Sequence, residues 1–312
     1  MTLPQVVLLT LVLQDPAKTI WRDPGQIERV DFAAAAGGVT IAPKAPFHYQ
    51  GEPSGGASAK ILVTDSAGLE WRVKAGPEAR ADSFCTRFAA ALGYFSEVTW
   101  FRAEAGVEGF DARRRPRIID SRGRATWVSF ELREPNTRFA PEGWTWTESP
   151  FAGTPELNGL KILVMLLSNW DNKDARDARR GSNVGVWDRE EDGRRVRAYF
   201  VNDWGQSMGG WKTRWGNGTA WDCRTYSSES ANFASLGADS RVRFGYRGQH
   251  TADFSSGITR DDVRWFMKYA GRITDAQINT GLLVSGASKE EQTCFSAALR
   301  KRLEQLRRIA QE

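Results

Sequence analysis

Ser168-Asn169-Trp170-Asp171-Asn172-Lys173, then Asn183-Val184-Gly185-Val186-Trp187, then residues 196–201 and Asn202-Asp203-Trp204-Gly205: the order of these pieces decides the fold. The first piece follows an apolar run in which Leu157, Leu160, Val164 and Leu167 share one helical face, widened by Leu163 and Leu166. Thr154 suits the N-cap and Pro155 the first helical position. A buried helix therefore delivers Asp171 into a polar loop. Two β runs follow, joined by Glu190-Glu191-Asp192-Gly193, and Asp-Gly accepts the positive φ of a tight hairpin turn. A hairpin turning near Asp192 sets Asn183 opposite roughly residues 200–202. Asn183 and Asp203 then lie at the open end that Asp171 enters. Hard cations such as Mg²⁺ take oxygen ligands of this kind, a few from protein and the rest from phosphate and water.

Toward the N-terminus, residues 47–75 read as β structure. His48 and Tyr49 lead into a Gly/Ser-rich loop at 51–58 that carries Gly51, Gly55 and Gly56, and a strand follows at 60–64. Turn chemistry at 65–68 precedes an alternating strand that ends at Lys74. Residues 77–92 read as a helix with Phe84, Phe88 and Leu92 on one face and Gly93 as its stop. More β signal lies at 96–101 and 126–132. Between those runs sits Arg113-Arg114-Arg115-Pro116-Arg117, with Arg122 and Arg124 beyond; it reads as a solvated hairpin, or as a docking patch for an acidic partner. Residues 134–149 look like a connector, and the order of residues 21–38 stays open. Downstream, Thr259 opens a helix at 260–270, while Thr274 with Gln277 and Ser288 with Glu291 fit the capping box. A β-rich first part with one helix and a helical second part make an α+β arrangement of two lobes, 1–133 and 134–312.

Composition narrows the function. With 41% hydrophobic and 26% charged residues over 312, the chain is globular, and no apolar run is long enough for a membrane helix. Residues 6–13 are apolar but for Thr10, without a preceding Lys or Arg and without a small-x-small site. An export signal and a buried strand both stay open, and so does the choice between cytoplasm and export. Cys85, Cys223 and Cys294 show no C-x-x-C spacing, which argues against zinc and leaves room for one bridge in an exported chain. The two histidines, His48 and His250, are read as structural, since no G-x-S-x-G elbow accompanies them. Net charge of +5 suits an anionic partner such as a nucleotide without calling for specific nucleic-acid binding.

Helix, Asp loop, β-hairpin and Asp-x-Gly in this order resemble the catalytic segment of protein-kinase-like phosphotransferases. Asp171-Asn172-Lys173 resembles their D-x-K loop and Asp203-Trp204-Gly205 their D-F-G. The Asn-Trp-Asp lead-in, without His-Arg, is more similar to atypical branches: HipA toxin kinases, secretory-pathway kinases and type II phosphatidylinositol kinases. Trp71-Arg72-Val73-Lys74 resembles the V-A-I-K strand. The same whole-chain layout, from Trp21 to the last helix, resembles a group of bacterial proteins that carries no assigned substrate.

The resemblance implies a two-lobed kinase-like fold, ATP and Mg²⁺ as cofactors, and a hydroxyl on a protein, lipid or small molecule as acceptor. It implies phosphate contact by Lys74, held by Asp82 or alternatively Glu78, with the glycine loop above. It implies metal binding by Asn183 and Asp203, proton acceptance by Asp171 and charge neutralisation by Lys173. Three departures stand out. Arg176 sits five residues after Asp171, where conventional kinases carry the metal-binding Asn, so residues 174–182 are read as an insertion. The glycine loop lacks a regular G-x-G-x-x-G, and Asp82 replaces the usual Glu. These departures keep a second reading alive: an inactive pseudokinase that binds a nucleotide or a partner. Of the 13 Trp, Trp144, Trp146, Trp211, Trp215 and Trp221 read as core anchors or as a stacking surface, with 211–221 the stretch placed to read a substrate.

Overall fold

The computed structural model describes residues 16–53, 58–111, 113, 116–134, 137–140, 142–191, 193–211 and 218–312. The run at 6–13, Gly55, Gly56, Arg114, Arg115, Asp192 and Trp215 lie outside them. The fold is mixed α+β.

After a short strand β1 (Ala17–Thr19) and two 3-10 turns, five strands close into a barrel: β2 (Phe47–Gly51), β3 (Lys60–Thr64), β4 (Glu70–Ala75), β5 (Thr99–Glu108) and β6 (Arg124–Leu132), in the order β2-β3-β4-β6-β5. Parallel pairing of β2 with β5, Phe47 against Val107, completes the ring and leaves no open edge. Alternation sorts the side chains. Ile61, Val63, Trp71, Val73, Val128 and Phe130 fill the barrel, while Arg72 and Lys74 take the other face of β4. The β5–β6 hairpin holds the arginine-rich run, whose described Arg113 and Arg117 are exposed.

Helix α1 (Pro77–Ala91) leaves the barrel through Gly76, which holds φ at 103°. Its apolar side does not join the barrel core. Phe84, Cys85 and Phe88 pack into the larger core formed by α2 (Pro155–Leu166) and the C-terminal helices, together with Ile20, Ile27 and Phe32. This core joins residues from both sides of residue 133. Cys85 is buried and unbridged.

The hairpin of β8 (Val184–Glu191) and β9 (Arg194–Val201) is flanked by β1 as a parallel edge and β7 (Arg138–Phe139) as an antiparallel one, in a four-stranded sheet of order β1-β9-β8-β7. Short pairs follow: β10 (Gly210–Trp211) with β11 (Gly218–Thr219), and β12 (Ala234–Leu236) with β13 (Val242–Phe244). The remaining helices are α3 (Cys223–Glu229), α4 (Thr251–Ser255), α5 (Arg260–Ala270), α6 (Asp275–Val284) and α7 (Lys289–Gln311). Capping boxes form at Thr259/Asp262, Thr274/Gln277 and Ser288/Glu291. Cys223 and Cys294 are bridged, tying α3 to α7. Trp144, Trp146 and Trp221 are buried in the main core and offer no stacking surface. Among the described residues no helix is long and apolar enough to cross a membrane.

Candidate functional site

Backbone capping at α2 sets the position of the Asp171 loop. Arg302 of α7 is buried; its Nη1 donates to the Met165 and Leu166 carbonyls at 3.2 and 2.9 Å and to Ser168 Oγ at 2.7 Å. It therefore satisfies carbonyls that the end of α2 leaves unpaired. Ser168 turns the chain with a positive φ of 48°. Asn169 then ties two loops together: its Nδ2 donates to the Asp203 carbonyl at 2.9 Å, and its Oδ1 accepts from the Asp171 amide at 3.3 Å. Asn172 donates to the Tyr246 hydroxyl and to the Gln249 carbonyl. Both asparagines shape the loop.

The hairpin has the register that Asp-Gly chemistry implies. Val184 pairs with Val201, and the Asn202 amide donates to the Asn183 carbonyl at 3.0 Å. Asn183 and Asp203 therefore stand at one end. Asn183 Nδ2 donates to Asp171, to the carbonyl at 2.6 Å and to Oδ2 at 2.9 Å. Lys173 Nζ lies 3.1 Å from the same Oδ2, and Gln249 Nε2 donates to Oδ1 at 2.6 Å. Three donors fix the Asp171 carboxylate.

Above this floor is the outer face of the barrel. Lys74 Nζ lies 3.0 Å from Asp82 Oδ2 and 3.2 Å from Asp203 Oδ1. Asp82, not Glu78, is thus the acid of α1 that holds Lys74. Its other oxygen accepts from the Trp204 amide at 3.1 Å. Glu78, one turn earlier, accepts instead from Ser58 and Gln206. Asp203 Oδ1 also accepts from the Gly205 amide at 3.0 Å, while Oδ2 has no hydrogen-bond partner among the described residues. A Cβ on Gly205 would lie 3.1 Å from both Asp203 Oδ1 and the Glu78 side chain, so the turn admits little else.

The charges respond to these neighbours. Burial opposes ionisation of Asp203, but Lys74, Lys60 and the Gly205 amide outweigh it and lower the carboxyl to about 2. Burial raises Asp82 to about 7, against the pull of Lys74. Burial alone would lower the Lys74 ammonium; Asp203 and Asp82 instead hold it well above its ordinary value.

Asp171, Lys173, Asn183, Asp203 and Lys74 line one cleft of about 280 Å³ with Ser58, Lys60, Arg72, Glu78 and Gln206. Lys60 and Arg72 were not singled out from the sequence. Arg72 was signalled by alternation, two residues before Lys74; Lys60 needed the β3–β4 register, which pairs it with Lys74. Gly51 does not line the cleft. It sits at a bulge in β2 with φ 144°, where the β2–β3 register shifts.

Arg176 is also absent from the lining. It makes a forked pair with Asp174 and reaches Asp253 Oδ2 at 2.7 Å, on the 3-10 turn Ala175–Arg180. Beside that turn Asp174, Asp177 and His250 form the one cluster of three His, Cys, Asp or Glu side chains with closely grouped ligand atoms among the described residues. Its acids already serve Arg176, backbone amides and the imidazole, with His250 Nε2 at 2.6 Å from Asp177.

No family model, curated protein or solved structure matches the chain.

Proposed function

We propose that the cleft is the active site of a kinase-like phosphotransferase, in a two-lobed arrangement with the barrel over the helical part. One observation carries the reading. A buried lysine is shared between a helix acid and the Asp of an Asp-x-Gly turn, over a loop Asp fixed by Asn183 and Lys173. Cations on the roof and acids on the floor form the charge pattern that a metal–polyphosphate requires.

The donor set fits a hard cation. Asp203 keeps Oδ2 for a ligand, and both side-chain hydrogen bonds of Asn183 use Nδ2, which leaves Oδ1 for one. Mg²⁺ held by these two would offset phosphate charge. Lys74 and Lys60 then grip phosphate oxygens, and Asp82 keeps Lys74 in place. Asp171 orients an acceptor hydroxyl and takes its proton, and Lys173 balances charge on the transferred group. Positioning and electrostatics do most of the work in this chemistry. ATP is the proposed donor. A thermal-shift titration with ATP, with and without Mg²⁺, tests it: Mg²⁺-dependent stabilisation together with autophosphorylation or ATP hydrolysis is expected. Absence of any nucleotide shift would overturn it.

A second reading, a pseudokinase binding module, is favoured by Arg72. It lines the cleft beside Lys74 and pairs with the buried Glu97 and Glu131. A purine prefers an apolar slot, whereas Trp170 is the one large apolar side chain in this lining. Equal stabilisation by Mg-ATP and Mg-tripolyphosphate, without hydrolysis, would select this reading.

A further inference from the structure

A second cavity of about 530 Å³ borders the last turns of α1, away from the cleft, and its size suits a small ligand. Four arginines line it, Arg22, Arg29, Arg87 and Arg189, against two acids, Asp31 and Glu134. Phe32, Ala35, Ala90 and Phe95 supply apolar wall.

Its donors are incompletely used. Arg87 is 3% exposed. Nε bonds the Ala34 carbonyl at 2.9 Å, and Nη1 bonds Ser83 and the Thr99 carbonyl. Nη2 has no acceptor among the described residues, and no carboxylate pairs with this guanidinium. Arg189 Nε, Trp187 Nε1 and Ser96 Oγ, all on lining residues, are likewise buried without a partner. Buried donors left unpaired are costly; these atoms are closed off behind the lining, and what Arg87 lends the cavity is a positive charge with no carboxylate at ion-pair distance among the described residues. Arg29 is exposed on the rim with no ion-pair partner among the described residues. Arg22 and Arg189 are already shared with Glu191, so Arg87 and Arg29 are the cations left over. Burial, only partly offset by Asp31, pushes the Arg87 guanidinium down to about 10, as expected for a cation lacking its counter-ion.

We infer that this cavity binds a small organic anion, its carboxylate or phosphate held by the exposed Arg29 and drawn by the uncompensated charge of Arg87 behind the lining, with an apolar body against the alanine and phenylalanine wall. The inference is independent of phosphotransfer at the cleft.

Calorimetric titration of the full chain with decanoate, phenyl phosphate and inorganic phosphate tests it. Saturable binding of decanoate or phenyl phosphate at about 1 mM or below is expected, with inorganic phosphate weaker for want of an apolar body. Arg29→Glu should weaken binding by about tenfold or more. Ala90→Phe, which fills the wall, should abolish it. Circular dichroism and the melting temperature verify that both variants are folded. No saturable binding of either organic anion to wild type would overturn the inference. So would unchanged binding in both folded variants, or phosphate binding as well as phenyl phosphate.

Discussion

The two ends of α1 border two different charged pockets. At its first turns the charges nearly cancel: Lys74 is shared by Asp82 and Asp203, Lys173 faces Asp171 and Arg72 pairs with Glu97 and Glu131, while Lys60 lines the cleft without an ion pair among the described residues. At its last turns cations outnumber acids, and Arg87 has none. A balanced pocket can hold a cation and an anion together, as a metal–phosphate requires. A cationic pocket with apolar walls suits an anion alone. The same helix thus supports one site where charge is cancelled locally and one where it is left over.

The largest expected effects separate roles within the balanced pocket. Asp171→Asn should lower transfer by about 10²–10⁴-fold while Mg²⁺-dependent ATP binding persists, because the proposed role of this Asp is to act on the acceptor. Asp203→Asn should weaken that binding, since a neutral amide is a poorer ligand for a hard cation. Equal loss of binding in both variants would break the division of labour.

Unbalancing the pocket should cost stability. Lys74→Met leaves Asp82 and Asp203 without their shared cation, and a loss of about 3 kcal/mol is expected in urea denaturation. Adding Asp82→Leu should recover part of it. If Lys74→Met were neutral, the description of a charge-balanced cleft would fail.

On its proposed role as a metal ligand, Asn183→Ala should lower transfer by about 10–100-fold or more, at least the loss expected for an outer partner of a ligand. Wild-type activity in that variant would refute its role. Arg176→Ala should leave transfer near normal and cost about 1–2 kcal/mol, because it unpairs the buried Asp174 outside the cleft.

The smallest effect is a pH slope. The Asp203 carboxyl is lowered to about 2 in the folded chain. Its stabilisation is therefore complete above the unfolded value of about 3.9 and is lost as pH falls toward 2. Asp82, raised by burial, acts in the opposite sense and costs stability as pH climbs from about 4 toward 7. Asp203→Asn should shrink the acid loss between about pH 4 and 2 by roughly 1–2 kcal/mol. An unchanged acid limb in chemical denaturation would show that Lys74 does not hold Asp203.

What could be read from the sequence was local. Ser288 and Glu291 announce the start of α7 because a capping box spans four residues, and Pro155 after Thr154 marks α2 in the same way. The hairpin register followed from Asp-Gly and placed Asn183 beside Asp203. What stayed hidden depends on distant pairing. Closure of the barrel through Phe47 and Val107, β1 against β9, and Cys223 with Cys294 leave no mark within a short window. Arg87 illustrates the limit: in sequence it is one more arginine on a helix, and only packing shows a buried charge without its partner.

Topologically, the bridge between Cys223 and Cys294 makes a covalent ring across a separation of 71 residues. Tyr246 and Gln249, which hold Asn172 and Asp171, lie inside that ring, and Arg302 anchors the Asp171 loop just beyond its closure on α7. In the chain-entropy picture a ring of this size restrains the unfolded chain by on the order of 4 kcal/mol. It also changes what a break in the backbone can do. A protease that cuts the exposed turn at 239–241 opens the ring without dividing the molecule, and both fragments stay joined through α3 and α7. Reduction then lets them part, and the supports of Asp171 leave with the piece that begins after the cut.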